Sequence, residues 1–162
     1  MKNKIVFKTA KINDIKALIH LENICFQSDR LHIKQFRHFI QSKTAYVFIA
    51  EEKNNIIANA VVLMRKNSKI VRLYSLAVDP TRQHHGIGRS LCDYVENLLI
   101  KKRYTEIRLE VRKDNRRAIR FYQKSGYQIF GESIKYYEDG EDALRMRKPL
   151  STNPKQREIG ID

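Results

Sequence analysis

The stretch Ser75-Leu76-Ala77-Val78-Asp79-Pro80-Thr81-Arg82-Gln83-His84-His85-Gly86-Ile87-Gly88-Arg89 decides how the rest of the chain is read. Leu76, Ala77 and Val78 end an apolar strand, Asp79-Pro80 turns the chain, and Gln83-x-x-Gly86-x-Gly88 opens a helix. A helix start leaves its first backbone N–H groups without intrahelical acceptors, and glycine lets a ligand come close to that backbone. The segment therefore has the makings of an anion cradle, and a pyrophosphate suits it. A glycine-marked turn without a ligand is the competing reading; the strand before it and the helix after it favour the cradle. His84 and His85 are adjacent on the loop, and neighbours converge poorly on a metal, so their expected contribution is backbone.

Downstream of the cradle, Ile87, Leu91, Tyr94, Val95 and Leu98 recur at the spacing of one helix face, and residues 101–104 end that helix. Glu106 to Arg112 then alternates strictly, with Ile107, Leu109 and Val111 on one face and Arg108, Glu110 and Arg112 on the other. A strand reached through a crossover helix runs parallel to its partner and is usually covered on both faces. One face here is charged, so that face is expected to border a cleft. Asp114 or Asn115 caps the next helix, Arg116 to Lys124, which carries Tyr122 near its end and stops at Gly126. A strand over 127–134, a turn over 136–140 and an alternating strand from Ala143 to Arg147 complete the pattern.

Upstream, residues 70–78 form the strand that leads into the cradle. Residues 45–50 and 56–64 pair as a hairpin around Lys53-Asn54-Asn55. Ile5-Val6-Phe7 reads as an edge strand, and Asn13 as the cap of a helix carrying Ile15, Leu18, Ile19, Leu21, Cys25 and Phe26. Ile33, Phe36, Phe39 and Ile40 mark a second helix. The polar connection from Gln27 to His32 reads either as a lid over a substrate site or as an ordinary helix–helix loop. The expected class is α/β (α+β): a mixed central sheet of about seven strands, with an antiparallel N-terminal meander and a central parallel pair, flanked by about four helices. One domain is expected over residues 1–150, and the aperiodic residues 151–162 are expected to be a mobile tail.

Hydrophobic residues at 42% and charged ones at 31% describe a soluble globular protein, without an apolar run long enough to span a membrane. The basic start Met1-Lys2-Asn3-Lys4 runs straight into a strand pattern and lacks the features of a signal peptide, so the cytoplasm is the expected location. Cys25 and Cys92 are far apart and sit in helical patterns, which points to buried thiols and not to a disulfide or a metal site. A net charge of +14 attracts polyanions: nucleic acid, the ribosome or a phosphate-rich cofactor. The basic residues are scattered and no aromatic-interleaved stripe occurs, so direct nucleic-acid readout is disfavoured and a weak ribosome or nucleic-acid association stays open.

LAVDPTRQHHGIGRSL followed by LEVRKDNRRAIRFYQKSGY resembles the coenzyme-A-binding core of the GNAT superfamily of N-acetyltransferases, along about residues 4–150. Glu110-Val111-Arg112, Asn115, Ala118-Ile119, Tyr122 and Gly126, with Tyr136-Tyr137 and Asp139 to Ala143, are similar to the RimI-like ribosomal-protein alanine N-acetyltransferases. The resemblance implies a GNAT fold whose parallel pair splays apart, and acetyl-CoA as co-substrate with no metal. It implies that Gln83 and the backbone from His84 through Gly86, Ile87, Gly88 and Arg89 to Ser90 hold the pyrophosphate. Leu76, Ala77 and Val78 would hold the pantetheine and acetyl carbonyl, and Asn115, Ala118 and Tyr122 would line the pantetheine arm. Tyr122 would be the general acid and Glu110 the general base. Asp29, Arg30, Tyr136 and Tyr137 would border the acceptor amine. His84 and His85 stand where the family commonly has Arg or Gly, and the first acceptor loop lacks the family's tryptophan.

The residue types suit those roles. A carboxylate can take the proton an attacking amine must lose, and a phenol can protonate a departing thiolate. An α-amine with a pKa of about 8 is roughly a tenth neutral at pH 7, whereas a lysine near 10.4 is neutral about once in 2500 molecules. A weak base therefore suffices for an N-terminal acceptor, the favoured substrate. The alternatives are a small amine, such as an amino acid derivative, polyamine or antibiotic, and a non-catalytic acyl-CoA-binding or ribosome-associated module. As structural residues, Tyr122 would be a packed helix tyrosine and Glu110 a strand carboxylate paired with Arg108 or Arg112.

Overall fold

Alternation and helical spacing resolve into seven strands and four helices in the computed structural model, which describes residues 3–151. In chain order they are β1 (Ile5–Thr9), α1 (Ile15–Cys25), α2 (Ile33–Gln41), β2 (Ala45–Glu52), β3 (Asn55–Met64), β4 (Ile70–Val78), α3 (Ile87–Lys101), β5 (Glu106–Arg112), α4 (Arg116–Lys124), β6 (Gln128–Ser133) and β7 (Ala143–Pro149). The strands form one mixed sheet in the order β1-β2-β3-β4-β5-β7-β6. β1 with β2 and β2 with β3 are antiparallel, the second pair around the expected hairpin turn. β4 runs parallel to β5 over Ile70 to Arg72 opposite Glu106 to Arg108, and β5–β7 and β6–β7 are antiparallel. The mixed sheet with its antiparallel N-terminal strands and parallel β4–β5 pair is the expected class.

The described residues divide into two compact units, the first comprising 3–66 with Leu73–Asn97, the second Asn67–Arg72 with 98–151. In the first, Ile15, Leu18, Leu31 and Phe36 pack on Val47, Ile49 and Val61 from β2 and β3. The strand period of two sends Phe48 to the opposite face, where Tyr94 of α3 meets it edge-on and stacks on Phe7 at 5.5 Å. Leu18, Phe36, Phe48 and Ile49 are fully buried, each side chain contributing about 1.5–3 kcal/mol of transfer free energy. In the second unit, Leu109 and Val111 oppose Met146 and Leu144 in register and bury one face. The other face of β5 carries Glu106, Arg108, Glu110 and Arg112, as the alternation predicts.

Several boundaries differ from the expectation. Asn13 does not cap α1: residues 12–14 form a 3-10 turn, in which the Asp14 carboxylate accepts the Lys11 N–H at 2.7 Å. The carboxylate one residue on reaches back to the turn's own start, leaving Asn13 no orphan donor to satisfy. Leu99, not Leu98, is the fully buried residue near the end of α3. β1 and β2 run on through Thr9 and Glu52, because backbone pairing such as Lys8 with Ile49 continues irrespective of side-chain polarity. β6 is shorter than the expected 127–134, and residues 152–162 lie outside the described residues. Among the described residues no helix is long and apolar enough to cross a membrane.

Candidate active site

In the first unit, β4 delivers Leu76, Ala77 and Val78 to a loop built by side chain–backbone bonds. Asp79 donates its N–H to the Ile57 carbonyl at 2.8 Å, and its carboxylate accepts the Thr81 N–H and hydroxyl at 2.9 and 2.8 Å. Pro80 opens the resulting 3-10 turn over residues 80–82, where a missing N–H costs nothing. Arg82 is drawn onto the buried carboxylate of Glu52. His84 and Gly86 both take positive φ, +67° and +76°, which turns the chain into the start of α3. The first intrahelical bond runs from the Ser90 N–H to the Gly86 carbonyl at 2.9 Å.

A Cβ added at Gly86 would meet no protein atom within 4 Å, so the side of the backbone that the glycine bares is open space. Together with the N–H groups of a helix start, that is what a pyrophosphate requires. That open side can take a phosphate group against the backbone of Gly86 to Ser90. The Gln83 amide donates to the Val78 carbonyl at 3.3 Å, so its side chain braces the loop from within. His84 and His85 are exposed. Among the described residues there is no group of three side chains able to hold a metal.

α1 carries the expected Cys25 and one group that the apolar spacing did not single out, Glu22. The Cys25 thiol donates to the same Val78 carbonyl at 3.3 Å. Burial, and then the fields of Glu22 and Asp79, push this thiol up to about 11. Glu22 is 1% exposed, and its Oε2 accepts the Leu31 N–H at 3.0 Å, fixing the far end of the loop over residues 26–32. Burial raises the Glu22 carboxyl above the ordinary carboxylate range, opposed by the Leu31 N–H and the charge of Arg30. Its other oxygen, like both side-chain atoms of the buried Asn59, has no hydrogen-bond partner among the described residues. The proposed acceptor residues on this loop are exposed: Asp29 takes φ +55°, and the Arg30 guanidinium turns back onto the Phe26 carbonyl at 2.6 Å.

In the second unit, Glu110 lies on the charged face of β5, with its side chain 17% exposed. Its partner is neither Arg108 nor Arg112 but Arg72 of β4, whose Nε lies 2.8 Å from Oε2. Arg108 pairs with Glu106, and Arg112 with Asp114 and Asp139. The Arg72 guanidinium also donates to the Tyr136 hydroxyl, so Glu110, Arg72 and Tyr136 form one connected group. Tyr137 sits under the Arg112 guanidinium at 4.9 Å and 81° to Tyr136. Hydrogen bonds to two acceptors raise the Arg112 guanidinium still further above its ordinary value and hold the Asp139 carboxyl below its own. The turn bearing both tyrosines is closed by Lys135 N–H to Asp142 at 2.8 Å and Gly140 N–H to the Tyr137 carbonyl at 2.9 Å.

Asn115 is the cap of α4, its side chain accepting the Ala118 N–H at 3.1 Å, so Asn115 and Ala118 are tied to each other. Tyr122 is half-buried on the last turn of α4 and packs edge-on against Tyr127 at 5.4 Å. The second unit thus brings Glu110 together with Tyr136, and Asn115 with Ala118. Arg72 escaped notice because its partner is 38 positions away in sequence, although the alternation of β4 already placed it on a polar face.

Residues 15–127 match the acetyltransferase (GNAT) family. The chain is similar to NAA10 of Arabidopsis thaliana, the catalytic subunit of the N-terminal acetyltransferase A complex, with 28% identity over 151 residues covering 90% of this chain and 78% of that protein. It is 38% identical over 82 residues to the ribosomal protein bS18-alanine N-acetyltransferase of Escherichia coli strain K12, covering 49% of this chain and 55% of the relative. The crystal structure of the Escherichia coli ribosomal-protein alanine N-acetyltransferase superposes with a TM-score of 0.82 at 26% identity, covering 94% of this chain and 97% of the other.

Proposed function

The chain belongs to the acetyltransferase (GNAT) family and is an N-acetyltransferase, and from that premise we propose that its acceptor is the N-terminal α-amine of a protein or peptide. The observation that carries the reading is the Glu110–Arg72–Tyr136 group: a carboxylate held in place by a guanidinium, beside a hydroxyl on a braced turn. A carboxylate is a weak base, sufficient for an amine of pKa about 8 and poorly matched to a lysine near 10.4. The names of the Arabidopsis and Escherichia coli relatives, which describe acetylation of protein N-termini and of an alanine on a ribosomal protein, support the same choice.

Acetyl-CoA, the family's co-substrate, supplies the acetyl thioester. Gly86 to Ser90 would hold its pyrophosphate through backbone N–H groups, with Gln83 keeping the loop in shape by its bond to Val78. Main-chain groups of Leu76, Ala77 and Val78 would hold the arm, with Asn115 and Ala118 as further contacts. Glu110 receives the proton of the acceptor amine, directly or through water, and Arg72 keeps that carboxylate from rotating away. Tyr122 offers its phenolic proton to the sulfur that leaves. Asp29, Arg30, Tyr136 and Tyr137 border the acceptor. We place the protein in the cytoplasm on the same reading.

Free thiol release should be followed with acetyl-CoA and three acceptor pools: peptides with free N-termini, the same peptides Nα-blocked but containing lysine, and small amines including polyamines. Turnover confined to the first pool is expected. Turnover of blocked peptides or polyamines at equal or greater kcat/KM would sink the proposed acceptor class.

A further inference from the structure

The open face of β5 and β7 holds more arginine than the reaction uses. The guanidinium carbons of Arg108, Arg145 and Arg147 lie 5.1, 4.7 and 5.2 Å from the centroid of one ring, Phe130 of β6. The bulge between Ile129 and Gly131 is what presents that ring, since it adds a residue to β6 at this point. Arg108 has an acid partner in Glu106, as Arg72 has in Glu110. Arg145 and Arg147 have no carboxylate partner among the described residues, and they are half-buried and exposed, respectively. Two cations close together on one face repel unless something anionic joins them. Packing on Phe130 orients their guanidinium groups and leaves their outer N–H groups to a carboxylate.

Register connects this pair to the candidate base. Arg145 stands opposite Glu110, and Arg147, two residues further along β7, stands opposite Arg108. An extended chain advances roughly 3.3 Å per residue and presents alternate side chains to one face. A peptide whose amine lies at Glu110 and which follows β7 would set alternate side chains over Arg145 and Arg147. We propose that this face selects acceptor chains with aspartate or glutamate within about the first five residues, gripped by Arg145 and Arg147. The inference rests on the N-terminal acceptor reading. The face favours an acidic peptide over single-stranded RNA because the Phe130 ring is covered by guanidinium groups, while Tyr136 is bonded to Arg72 and Tyr137 lies under Arg112, which leaves little ring face on which a base could stack.

The test uses the full chain with acetyl-CoA and three peptides that share one N-terminal residue and carry glutamate, alanine or lysine at positions two to five. The glutamate peptide should exceed the alanine one by about 4- to 25-fold in kcat/KM, two solvent-accessible pairs each giving a factor of about two to five. The difference should lie in KM and shrink as salt is raised. In R145A/R147A the preference should vanish while turnover of the alanine peptide and coenzyme A binding persist; R147E should invert it. Equal kcat/KM for the three peptides in the unmodified protein overturns the proposal, as does a preference that survives the double variant. Single-stranded RNA binding that the double variant abolishes, without any peptide preference, also overturns it. If no N-terminal peptide of any charge is acetylated while a lysine side chain or small amine is, the acceptor reading itself has failed and this inference falls with it.

Discussion

Replacing Gly86 by alanine separates what the cradle does for the protein from what it does for its ligand. Gly86 has φ +76°, and an L-residue held there costs about 1–2 kcal/mol. Restricting the unfolded chain returns about 0.4–1 kcal/mol, leaving a net loss near 1 kcal/mol. The added methyl meets no protein atom within 4 Å, so no clash enlarges that figure. For a chain of this size, about 1 kcal/mol lowers the melting temperature by roughly 2–4 °C. Coenzyme binding should suffer more, because the same methyl enters the space through which a phosphate reaches the start of α3. Losing one charge-assisted hydrogen bond of about 1.5–3 kcal/mol raises Kd by about 10- to 150-fold. Calorimetric titration with coenzyme A, beside a thermal melt without ligand, reads both quantities. G86N, whose side chain tolerates positive φ, should keep nearly full stability and still lose affinity. Affinity unchanged in both variants, with only the melt affected, would refute the cradle and leave a bare turn.

Tyr122→Phe keeps the ring that packs on Tyr127, so coenzyme A affinity and the melting temperature should hold while kcat falls by about 10²- to 10⁴-fold; an unaltered pH–rate profile would remove the general-acid role. With its thiol near 11, Cys25 is about 0.1% thiolate at pH 8 against roughly a quarter for an unperturbed cysteine, and the greater nucleophilicity of a more basic thiolate offsets only part of this, so alkylation followed by peptide mapping should show it more than about tenfold slower than a free thiol. A rate near that of free cysteine would mean that Sγ is not held on Val78. Asp139 has its carboxyl lowered by Arg112, so the pair is fully formed above the unfolded value of about 3.9 and is lost as pH falls below it. The Glu141 amide, which donates to Asp139 at 3.1 Å, should titrate by NMR with a midpoint under about 3.9; a midpoint at or above that value contradicts the clamp.

Local rules made much of this molecule readable. β5 buries Ile107, Leu109 and Val111 because period two leaves a strand no other way to put its apolar residues on one side. Asn115 caps α4, and Gly126 stops it at φ +96°, because helix ends need those chemistries. What stayed hidden came from residues distant in sequence. Nothing near Glu110 names Arg72, since only the parallel register of β4 and β5 brings them together. The Phe130 cluster depends on a bulge, which shifts register without a composition signal strong enough to read. Glu22 was passed over because a helix face is read from its apolar members; a buried acid among them marks a polar contact that spacing does not reveal. Asn13 failed as a cap because the competition between Asn13 and Asp14 is settled by the geometry of one short turn.

The Val78 carbonyl accepts from both Cys25 and Gln83, so one oxygen at the end of β4 joins the tip of α1 to the cradle loop. For protein engineering this makes α1 and the cradle a single transplantable module. A chimera that imports another enzyme's acceptor loop starting beyond residue 25 keeps the thiol, and the cradle should be undisturbed. One that starts earlier must bring a donor of similar reach, or the Val78 carbonyl loses one of its two partners and the cradle loop one of its braces.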